Sequence, residues 1–183
     1  DRLTEENNRL MSEQFELRRL RELYDLDQEY MQYEKTVARV IANDSGDWFQ
    51  VFRVNKGSAD GIQVGNNVLA GGGLAGIVTD VGAHYATVRS IIDDSSRVSA
   101  MALQSGDTCM VGGDLTLYKE GRLSISDIKK DGDVKDGDRI VTSNISTTYL
   151  PGILIGYAAD ITVDSNQLTS SGYLVPVAEF NNL

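Results

Sequence analysis

The sequence is poor in the side chains that build redox, metal and catalytic centres. Its 183 residues contain one cysteine, Cys109, one histidine, His84, and two prolines. A single cysteine excludes an intramolecular disulfide and a thiolate metal cluster, so we expect Cys109 to be a small buried hydrophobic residue. We therefore expect no metal site and no cofactor in this chain.

Basic residues are also scarce. Lys and Arg number 17 against 27 Asp and Glu, which leaves a formal charge of -10. Nucleic-acid binding is driven by neutralisation of phosphates, which this chain has little means to supply, so we expect no nucleic-acid partner. The same charge is repelled by an anionic lipid surface, so we do not expect the folded part to dock on a membrane by itself.

Long apolar runs are missing as well. No run reaches the ~18 to 20 apolar residues that span a bilayer, and the first residues show no charged-then-apolar signal. The chain nevertheless opens at Asp1, without Met and inside a helical pattern. We expect that the chain is truncated and that a targeting segment is missing.

Glycine and proline are absent from the first 42 residues, and the first glycine is Gly46. Since these two residue types interrupt helices most strongly, the sequence predicts one long helix over residues 1–36. Beyond it, short runs rich in Val, Ile and Thr are separated by Gly, Asp and Asn, which is typical of strands and turns. The sequence therefore predicts a helical stalk followed by a β module.

The stalk carries an apolar column at seven-residue spacing, the pattern of a coiled-coil seam. The other core column of the heptad is polar, so the expected coiled coil is weak, and one further leucine strengthens only its middle. The predicted dimer interface consists of Leu3, Leu10, Leu17, Leu20, Tyr24 and Met31. A second apolar stripe, from Leu23 to Val37, is expected to rest on the β module. The alternative is a single charged helix that packs on its own domain without forming a dimer.

Eleven short strands are predicted after the stalk, without a second long helical pattern. This combination indicates an all-β sandwich or barrel. The predicted strands are residues 36–42, 48–54, 64–70, 74–81, 86–92, 97–103, 109–117, 122–128, 138–143, 153–163 and 173–179.

Two parts of the β module resemble each other. Residues 65–70 match residues 137–142, and residues 76–81 match residues 156–161, in the same order. In the second copy a longer insert separates the two segments. Because Gly followed by β-branched residues is common in any β protein, chance similarity is the alternative to a true repeat.

The repeat predicts two related small barrels, which we place at residues 37–105 and 106–183, with late strands able to return to the first. A pair of small barrels is also the fold of one class of serine proteases, so a membrane-anchored extracellular hydrolase is the alternative function. Such an enzyme needs a histidine as base, and His84 lies in a predicted turn. The stretch that faintly matches the protease nucleophile motif, residues 43–47, precedes His84, whereas the protease order places the serine last. We therefore predict no catalytic residue and no enzyme activity.

Aspartate clusters suggest one further hypothesis, a calcium site. Asp93 precedes Asp94, and five more aspartates lie in residues 127–138. An EF-hand loop needs ligands at fixed positions, a central glycine and a closing Glu between two helices. Here the flanking segments are predicted strands and the Glu is missing, so we interpret these carboxylates as solvated turn residues.

Several motifs, taken in order, resemble the MreC family of rod shape-determining proteins. The motifs are residues 44–49, 54–62, 73–78 and 150–156. One motif alone would be weak evidence for the family, but the occurrence of all of them in this order is specific. The motif residues that we expect to shape the backbone are Gly57, Asp60, Gly61, Gly76, Pro151, Gly152 and Gly156.

The resemblance implies a fold of two six-stranded barrels with protease-like topology and no catalytic triad. It also implies a single-pass protein of the cell membrane whose coiled coil and β module lie on the extracytoplasmic side. The implied role is that of a non-catalytic scaffold, which maintains rod shape by organising peptidoglycan synthesis during cell elongation. The implied partners are the elongation-specific penicillin-binding transpeptidase and, through the membrane region, MreB and MreD.

Partner binding is expected to use apolar side chains that no core needs. The candidates are Tyr118, Tyr149 and Leu150. They lie at predicted strand ends or in the long insert, where side chains are least needed to fill a core. Proteins bind such surfaces through a few desolvated apolar anchors ringed by polar contacts. The alternative is that these three residues only cap the barrel.

Overall fold

The computed structural model describes residues 2–43, 50–180 and 183, with the exception of the side chains of residues 22 and 23. The chain forms two compact units, Asp1–Thr36 and Val37–Leu183.

The first unit is built on one helix, α1, which spans Arg2–Glu29. Its sequence contains no helix-breaking residue, and Arg9 lies 2.8 Å from Glu6 and 3.5 Å from Glu13, ion pairs at three- and four-residue spacing that support a helix. Beyond the helix, Nζ of Lys35 donates hydrogen bonds to the carbonyl oxygens of Tyr30 (2.6 Å) and Tyr33 (3.1 Å). The N–H of Tyr33 also donates to the Tyr30 carbonyl at 3.1 Å, so the lysine reinforces the turn that follows the helix.

The end of α1 corrects the predicted stalk. The prediction extended the helix to residue 36 and included Met31 in the heptad column, whereas α1 ends at Glu29 and Met31 lies in the turn that follows. In this turn the Lys35 amine bonds the carbonyl groups of Tyr30 and Tyr33. The remaining members of the column, Leu3, Leu10, Leu17, Leu20 and Tyr24, lie in the helix and are exposed.

The second unit begins with a five-stranded antiparallel sheet in the order β1-β2-β5-β4-β3. Its strands are β1 (Val40–Asn43), β2 (Val51–Val54), β3 (Asn67–Ala70), β4 (Gly73–Val81) and β5 (Ala86–Ser90). The core of this sheet is a cluster of buried apolar residues on β2, β4 and β5. Its buried members are Phe52, Val54, Val78, Ala86 and Val88, and the half-buried Val40, Ile62, Val68, Val81 and Leu183 pack against them.

The rest of the chain forms a closed six-stranded barrel in the order β10-β11-β8-β7-β6-β9. Its strands are β6 (Arg97–Ala102), β7 (Thr108–Gly112), β8 (Leu123–Lys129), β9 (Arg139–Thr142), β10 (Leu154–Val163) and β11 (Thr169–Pro176). A short helix, α2 (Leu115–Tyr118), follows β7. The barrel interior is lined by alternate residues, as the period of a strand requires; on β6 these are Val98, Ala100 and Ala102, all fully buried.

Two expectations about architecture are wrong. One of the two predicted six-stranded barrels is a five-stranded sheet in the described part of the chain, because no sixth strand joins β1 to β3 there. The boundary at residues 105 and 106 also misallocates β6, which was placed with the first barrel. β6 hydrogen-bonds to β7 and β9 and thereby closes the second. Of the late residues, Leu183 does reach the core of the first sheet.

The strand predictions agree more closely with the structure. Each of the eleven predicted strands overlaps one strand of the described residues, although the first begins only at Val40 and the last spans residues 169–176. The main error is the predicted strand 109–117, which ends at Gly112 and gives way to α2. Asp114 caps this helix, since its carboxylate accepts a hydrogen bond from the backbone N–H of Leu117 at 3.0 Å.

The two sheets repeat one arrangement. Strands β1 to β5 are ordered β1-β2-β5-β4-β3, and β7 to β11 occupy the barrel in the corresponding order, with β6 as the additional strand. Local hydrogen bonds repeat too: the N–H of Gly65 donates to the carbonyl of Val78 (2.8 Å) and that of Gly137 to the carbonyl of Ala158 (2.7 Å). The sequence similarity of these segments therefore corresponds to a structural repeat.

Candidate interaction surfaces

Residues considered for catalysis and for metal binding are not assembled into a centre in the described part of the chain. His84 is exposed in the connection between β4 and β5. The stretch that faintly matches a protease motif, residues 43–47, lies outside the described residues except for Asn43, and motif residues 44–49 lie outside them as well. Among the residues that the structure describes, no group of three or more His, Cys, Asp or Glu side chains could hold a metal ion.

The early motif forms a tight corner that docks on the β4–β5 connection. A turn of 3₁₀ helix at Ser58–Asp60 is held by the carboxylate of Asp60, which accepts a hydrogen bond from the N–H of Gly57 at 3.1 Å. This bond, assisted by Lys56, lowers the pKa of Asp60. Gly61 ends the turn in the left-handed conformation, with φ of 84°. The N–H of Ser58 donates to the carbonyl of Gly82 at 2.9 Å, which joins the corner to the connection.

Gly76 and Gly156 occupy equivalent positions of the repeat, opposite Val68 and Ile140 on the neighbouring strands β3 and β9. A Cβ at Gly76 would overlap the carbonyl oxygen of Arg89, and one at Gly156 would overlap that of Val175. Both glycines are therefore required by the close approach of the next strand.

The late motif forms a turn around the buried hydroxyl of Thr142. This hydroxyl donates to the carbonyl of Leu150 (2.6 Å) and accepts from the N–H of Ile153 (2.8 Å). Gly152, at φ of 80°, donates its N–H to the Thr142 carbonyl at 3.0 Å. Pro151 and Gly152 thus close the long connection between β9 and β10. We call residues 143–151 of this connection the insert.

The three partner-binding candidates differ in exposure. Tyr118 is only 8% exposed and Tyr149 only 6%, whereas Leu150 is 44% exposed. The phenolic oxygen of Tyr118 accepts a hydrogen bond from the backbone N–H of Phe180 at 2.9 Å, and the two rings meet edge to face. Burial raises the pKa of both tyrosines. The expectation that the core does not need these side chains is therefore wrong for the two tyrosines. Of the three candidates, only Leu150 presents an accessible apolar surface.

Sequence reasoning missed the residue that attaches the insert to the first sheet. Oδ1 of Asn67, on edge strand β3, accepts a hydrogen bond from the N–H of Leu150 at 2.7 Å. Nδ2 of the same side chain lies 3.3 Å from the carbonyl of Thr148 and donates to it. A carboxamide here offers the acceptor and donor that a neighbouring strand would offer. Because 83 residues separate Asn67 from Leu150, no local pattern could have indicated the contact.

The insert also borders an open cleft of about 260 Å³ on the barrel, lined by Arg97, Ser99, Met110 and residues 145–149. Ile145 at its rim is 71% exposed. The accessible apolar groups of the insert are therefore Ile145 and Leu150, and not the tyrosine that lies between them.

The fold defines a class of protein: an N-terminal helix followed by a tandem β unit, in which one five-stranded arrangement is repeated and the second copy is closed into a barrel. Residues 40–183 match the family model described as the barrel core of rod shape-determining protein MreC. The chain belongs to the MreC family, which confirms the resemblance of its motifs.

Known proteins of this family share the fold over most of the chain. The cell shape-determining protein MreC of Listeria monocytogenes is 29% identical over 168 residues, which cover 90% of this chain and 56% of that protein. A solved structure of Listeria monocytogenes MreC has a TM-score of 0.71 at 28% identity and covers 98% of this chain and 88% of its own. The chain thus spans about half the length of the curated relatives it matches.

A third match is a complex between a penicillin-binding protein (PBP2) and MreC from Helicobacter pylori. Its TM-score is 0.59 at 14% identity, over 75% of this chain and 83% of the other, so it shows a common fold. In the described part of this chain, no helix has the length and apolar character needed to cross a membrane.

Proposed function

We propose that this protein is a non-catalytic scaffold of the bacterial cell-elongation machinery, which maintains an elongated cell shape by organising peptidoglycan synthesis. The observation that carries the proposal is the match of residues 40–183 to the MreC barrel core. The interpretation as a scaffold is supported by the close-packed backbone motifs, the hydrogen-bonded insert and the exposed apolar side chains of the chain.

The partner in this proposal is the extracytoplasmic region of the elongation-specific penicillin-binding transpeptidase. Support comes from the complex of PBP2 with MreC of Helicobacter pylori, whose fold this chain shares. Tyr118 and Tyr149 are buried, so the apolar anchors for the partner must be other, accessible side chains. These are Leu150, which was already expected from the sequence, and Ile145. MreB and MreD would be reached through a single membrane-spanning segment, which places the present residues on the extracytoplasmic side.

The scaffold is a homodimer in this proposal, paired through the helix. Leu3, Leu10, Leu17 and Tyr24 recur every seven residues in α1, and each is exposed in the single chain. Exposed leucines on one face of a charged helix lose contact with water when a second helix covers them. Dimerisation would present two β modules to partners held in one membrane and would raise the apparent affinity by avidity.

Surface plasmon resonance tests the proposal. The transpeptidase region is immobilised at low and at high density, and the whole chain is compared with residues 37–183, which form a compact unit of their own. We expect both to bind, with a slower dissociation of the whole chain on the dense surface only. Binding by residues 1–36 without binding by residues 37–183 would place the interface on the helix and contradict the proposal.

The absence of catalysis is tested separately. The purified chain is expected to release no product from peptidoglycan or from peptide substrates. A turnover that is abolished by His84→Ala would show that the protein is an enzyme and would reject the scaffold.

A further inference from the structure

The open cleft beside the insert brings together parts of the chain that are far apart in sequence. Arg97 and Ser99 belong to β6, Met110 belongs to β7, and residues 145–149 belong to the insert. The insert is fixed to β6, because the N–H of Ser143 donates to the carbonyl of Ser99 at 2.9 Å. The cleft is therefore shaped by contacts within the chain before any ligand binds.

One side of the cleft is Arg97, an exposed side chain that is held by the backbone before β6. Its Nη1 donates hydrogen bonds to the carbonyl oxygens of Ser96 at 2.6 Å and Asp94 at 3.0 Å. The other two donor atoms, Nε and Nη2, have no acceptor among the described residues, and no described carboxylate forms an ion pair with this arginine. They lie on one edge of the guanidinium, which is the edge that binds a carboxylate through two parallel hydrogen bonds.

The backbone of the insert has little to offer an anion. Sites for phosphate groups and for the C-terminal carboxylate of a peptide commonly use successive free N–H groups. In the insert, the N–H groups that already donate to acceptors of this chain are those of Ile145, Ser146, Thr148, Tyr149 and Leu150. The donors left for a ligand are therefore mainly side chains, among them the hydroxyls of Thr147 and Thr148. This arrangement favours the carboxylate of an aspartate or glutamate side chain over a phosphate or a chain terminus.

The size and the charge of the cleft limit the ligand further. Its volume of about 260 Å³ lies below the roughly 300 to 1,000 Å³ of sites that enclose a whole small molecule. A single side chain fits this space from the open side, while the rest of its chain remains outside. One arginine in a chain of charge -10, with Asp93 and Asp94 in the turn before β6, can balance one negative charge but not a polyanion.

We propose that this cleft binds the carboxylate of an aspartate or glutamate in an extended segment of a partner protein. Nε and Nη2 of Arg97 donate to the two carboxylate oxygens, and the hydroxyls of Thr147 and Thr148 are available to the backbone of the segment. An apolar residue next to the acidic one packs on Ile145, which is 71% exposed at the rim. The inference rests on the proposed function for the identity of the partner, the transpeptidase, because Ile145 is one of its proposed anchors.

NMR spectroscopy of the 183-residue chain tests the site without the transpeptidase. The Nε–H signal of Arg97 is followed during titration with the peptide acetyl-Val-Glu-Ala-amide and with its glutamine counterpart, acetyl-Val-Gln-Ala-amide. We expect the glutamate peptide to shift this signal at millimolar concentration. The glutamine peptide should bind about tenfold more weakly, because hydrogen bonds to a charged group are the stronger ones.

Variants of the arginine are compared through the amide signals of residues 145–149. Arg97→Gln removes the charge and should abolish the difference between the two peptides. Arg97→Lys keeps the charge but not the pair of donors on one edge, so it should retain only part of the preference for glutamate. The matched control is Arg53→Gln, the same substitution at an exposed arginine on β2 of the first sheet. This control should bind both peptides like the unsubstituted chain.

Two further titrations examine other sources of negative charge. One uses sodium phosphate, and the other uses acetyl-Val-Gln-Ala with a free C-terminal carboxylate in place of the amide. Both should bind more weakly than the glutamate peptide. Tighter binding of phosphate would assign the cleft to an inorganic anion, and tighter binding of the free carboxylate would assign it to a chain terminus. Either result overturns the proposal.

The transpeptidase itself separates this proposal from the proposed function. In surface plasmon resonance, Arg97→Gln should weaken binding of its extracytoplasmic region about tenfold, and Arg53→Gln should leave it unchanged. If the unsubstituted chain fails to bind the transpeptidase, the proposed partner is rejected, and the peptides decide the carboxylate site. Equal binding of the glutamate and glutamine peptides overturns the site, as does full binding of the transpeptidase by Arg97→Gln.

Discussion

Asn67 of the first sheet holds Leu150 of the insert: its side-chain oxygen accepts the Leu150 N–H at 2.7 Å, while its nitrogen donates to the Thr148 carbonyl. One polar side chain thereby fastens the connection between β9 and β10 to the edge of β3. The two β units are joined at this point by hydrogen bonds as well as by the chain itself.

Asn67→Ala should release the insert. The substitution removes two hydrogen bonds to the insert and one to the carbonyl of Gly65. Because the side chain is partly exposed, this loss is expected to lower the free energy of unfolding by roughly 1 to 2 kcal/mol. Thermal denaturation measures this change, and exchange of the amides in residues 145–150 should accelerate. Asn166→Ala, which removes hydrogen bonds within one turn, serves as the control and should leave exchange in the insert unchanged. An insert that stays protected in Asn67→Ala would show that this side chain does not hold it.

Gly156→Val should destabilise the barrel, because its Cβ would overlap the carbonyl oxygen of Val175. Overpacking of this kind costs about 1 to 3 kcal/mol, and here the obstacle is backbone, which yields least. Denaturant unfolding measures the loss. Tyr157→Val, at the next residue of the same strand but half-exposed, should cost much less. Equal stability of the Gly156 variant would mean that the glycine is not required for folding.

Leu10→Asp combined with Leu17→Asp should convert a dimer into a monomer. Both leucines are exposed on α1, and charge placed in an apolar seam has no partner there. Light scattering at high micromolar concentration reports the mass. Phe15→Asp changes an exposed residue of the same helix outside the column and should leave the mass unchanged. A monomeric unsubstituted chain at that concentration would reject the seam.

Cys109 should resist thiol reagents until the protein unfolds. The residue is buried on β7, and burial raises the pKa of its thiol from 9.0 to about 12. The folded chain retains this proton above pH 9, where the unfolded chain loses it, so the thiol's contribution to stability is present below pH 9 and declines up to pH 12. The decline approaches about 1.4 kcal/mol per pH unit.

The Cys109→Ala variant isolates this contribution, because its stability should fall less steeply over the same range. The introduced thiol of Leu168→Cys, at an exposed position, provides a positive control for the reagent. Rapid modification of Cys109 at pH 8 in the folded protein would contradict the burial of its sulfur.

Local patterns predicted the elements of this fold well. The alternation of apolar and polar residues located eleven strands, and the absence of glycine and proline located α1. Errors arose where a single side chain decides the outcome. Lys35 binds carbonyls of the turn beyond α1, where the helix was expected to continue, and Asp114 caps α2 where a strand was expected. Neither contact can be recognised from the spacing of apolar residues along the sequence.

Pairing between distant strands was less accessible to sequence reasoning. The strand β6 was predicted, but the sequence of Arg97–Ala102 does not indicate whether it pairs with the strands of the first sheet or with those of the barrel. Its assignment depends on hydrogen bonds to β9, where Ala100 pairs with Thr142. The exposure of the two tyrosine candidates was misjudged for a related reason; Tyr118, for example, packs against Phe180, far away in sequence.

The exposed leucines of α1 also bear on how concentrated solutions of the protein behave. Copies carrying a charge of -10 repel one another, over a range that shrinks from about 10 Å at 0.1 M salt to about 3 Å at 1 M. Added salt therefore weakens the repulsion but leaves the apolar surface of these leucines unchanged. Association that increases with ionic strength is the expected behaviour, because colloidal stability in this protein depends on electrostatic repulsion between its copies.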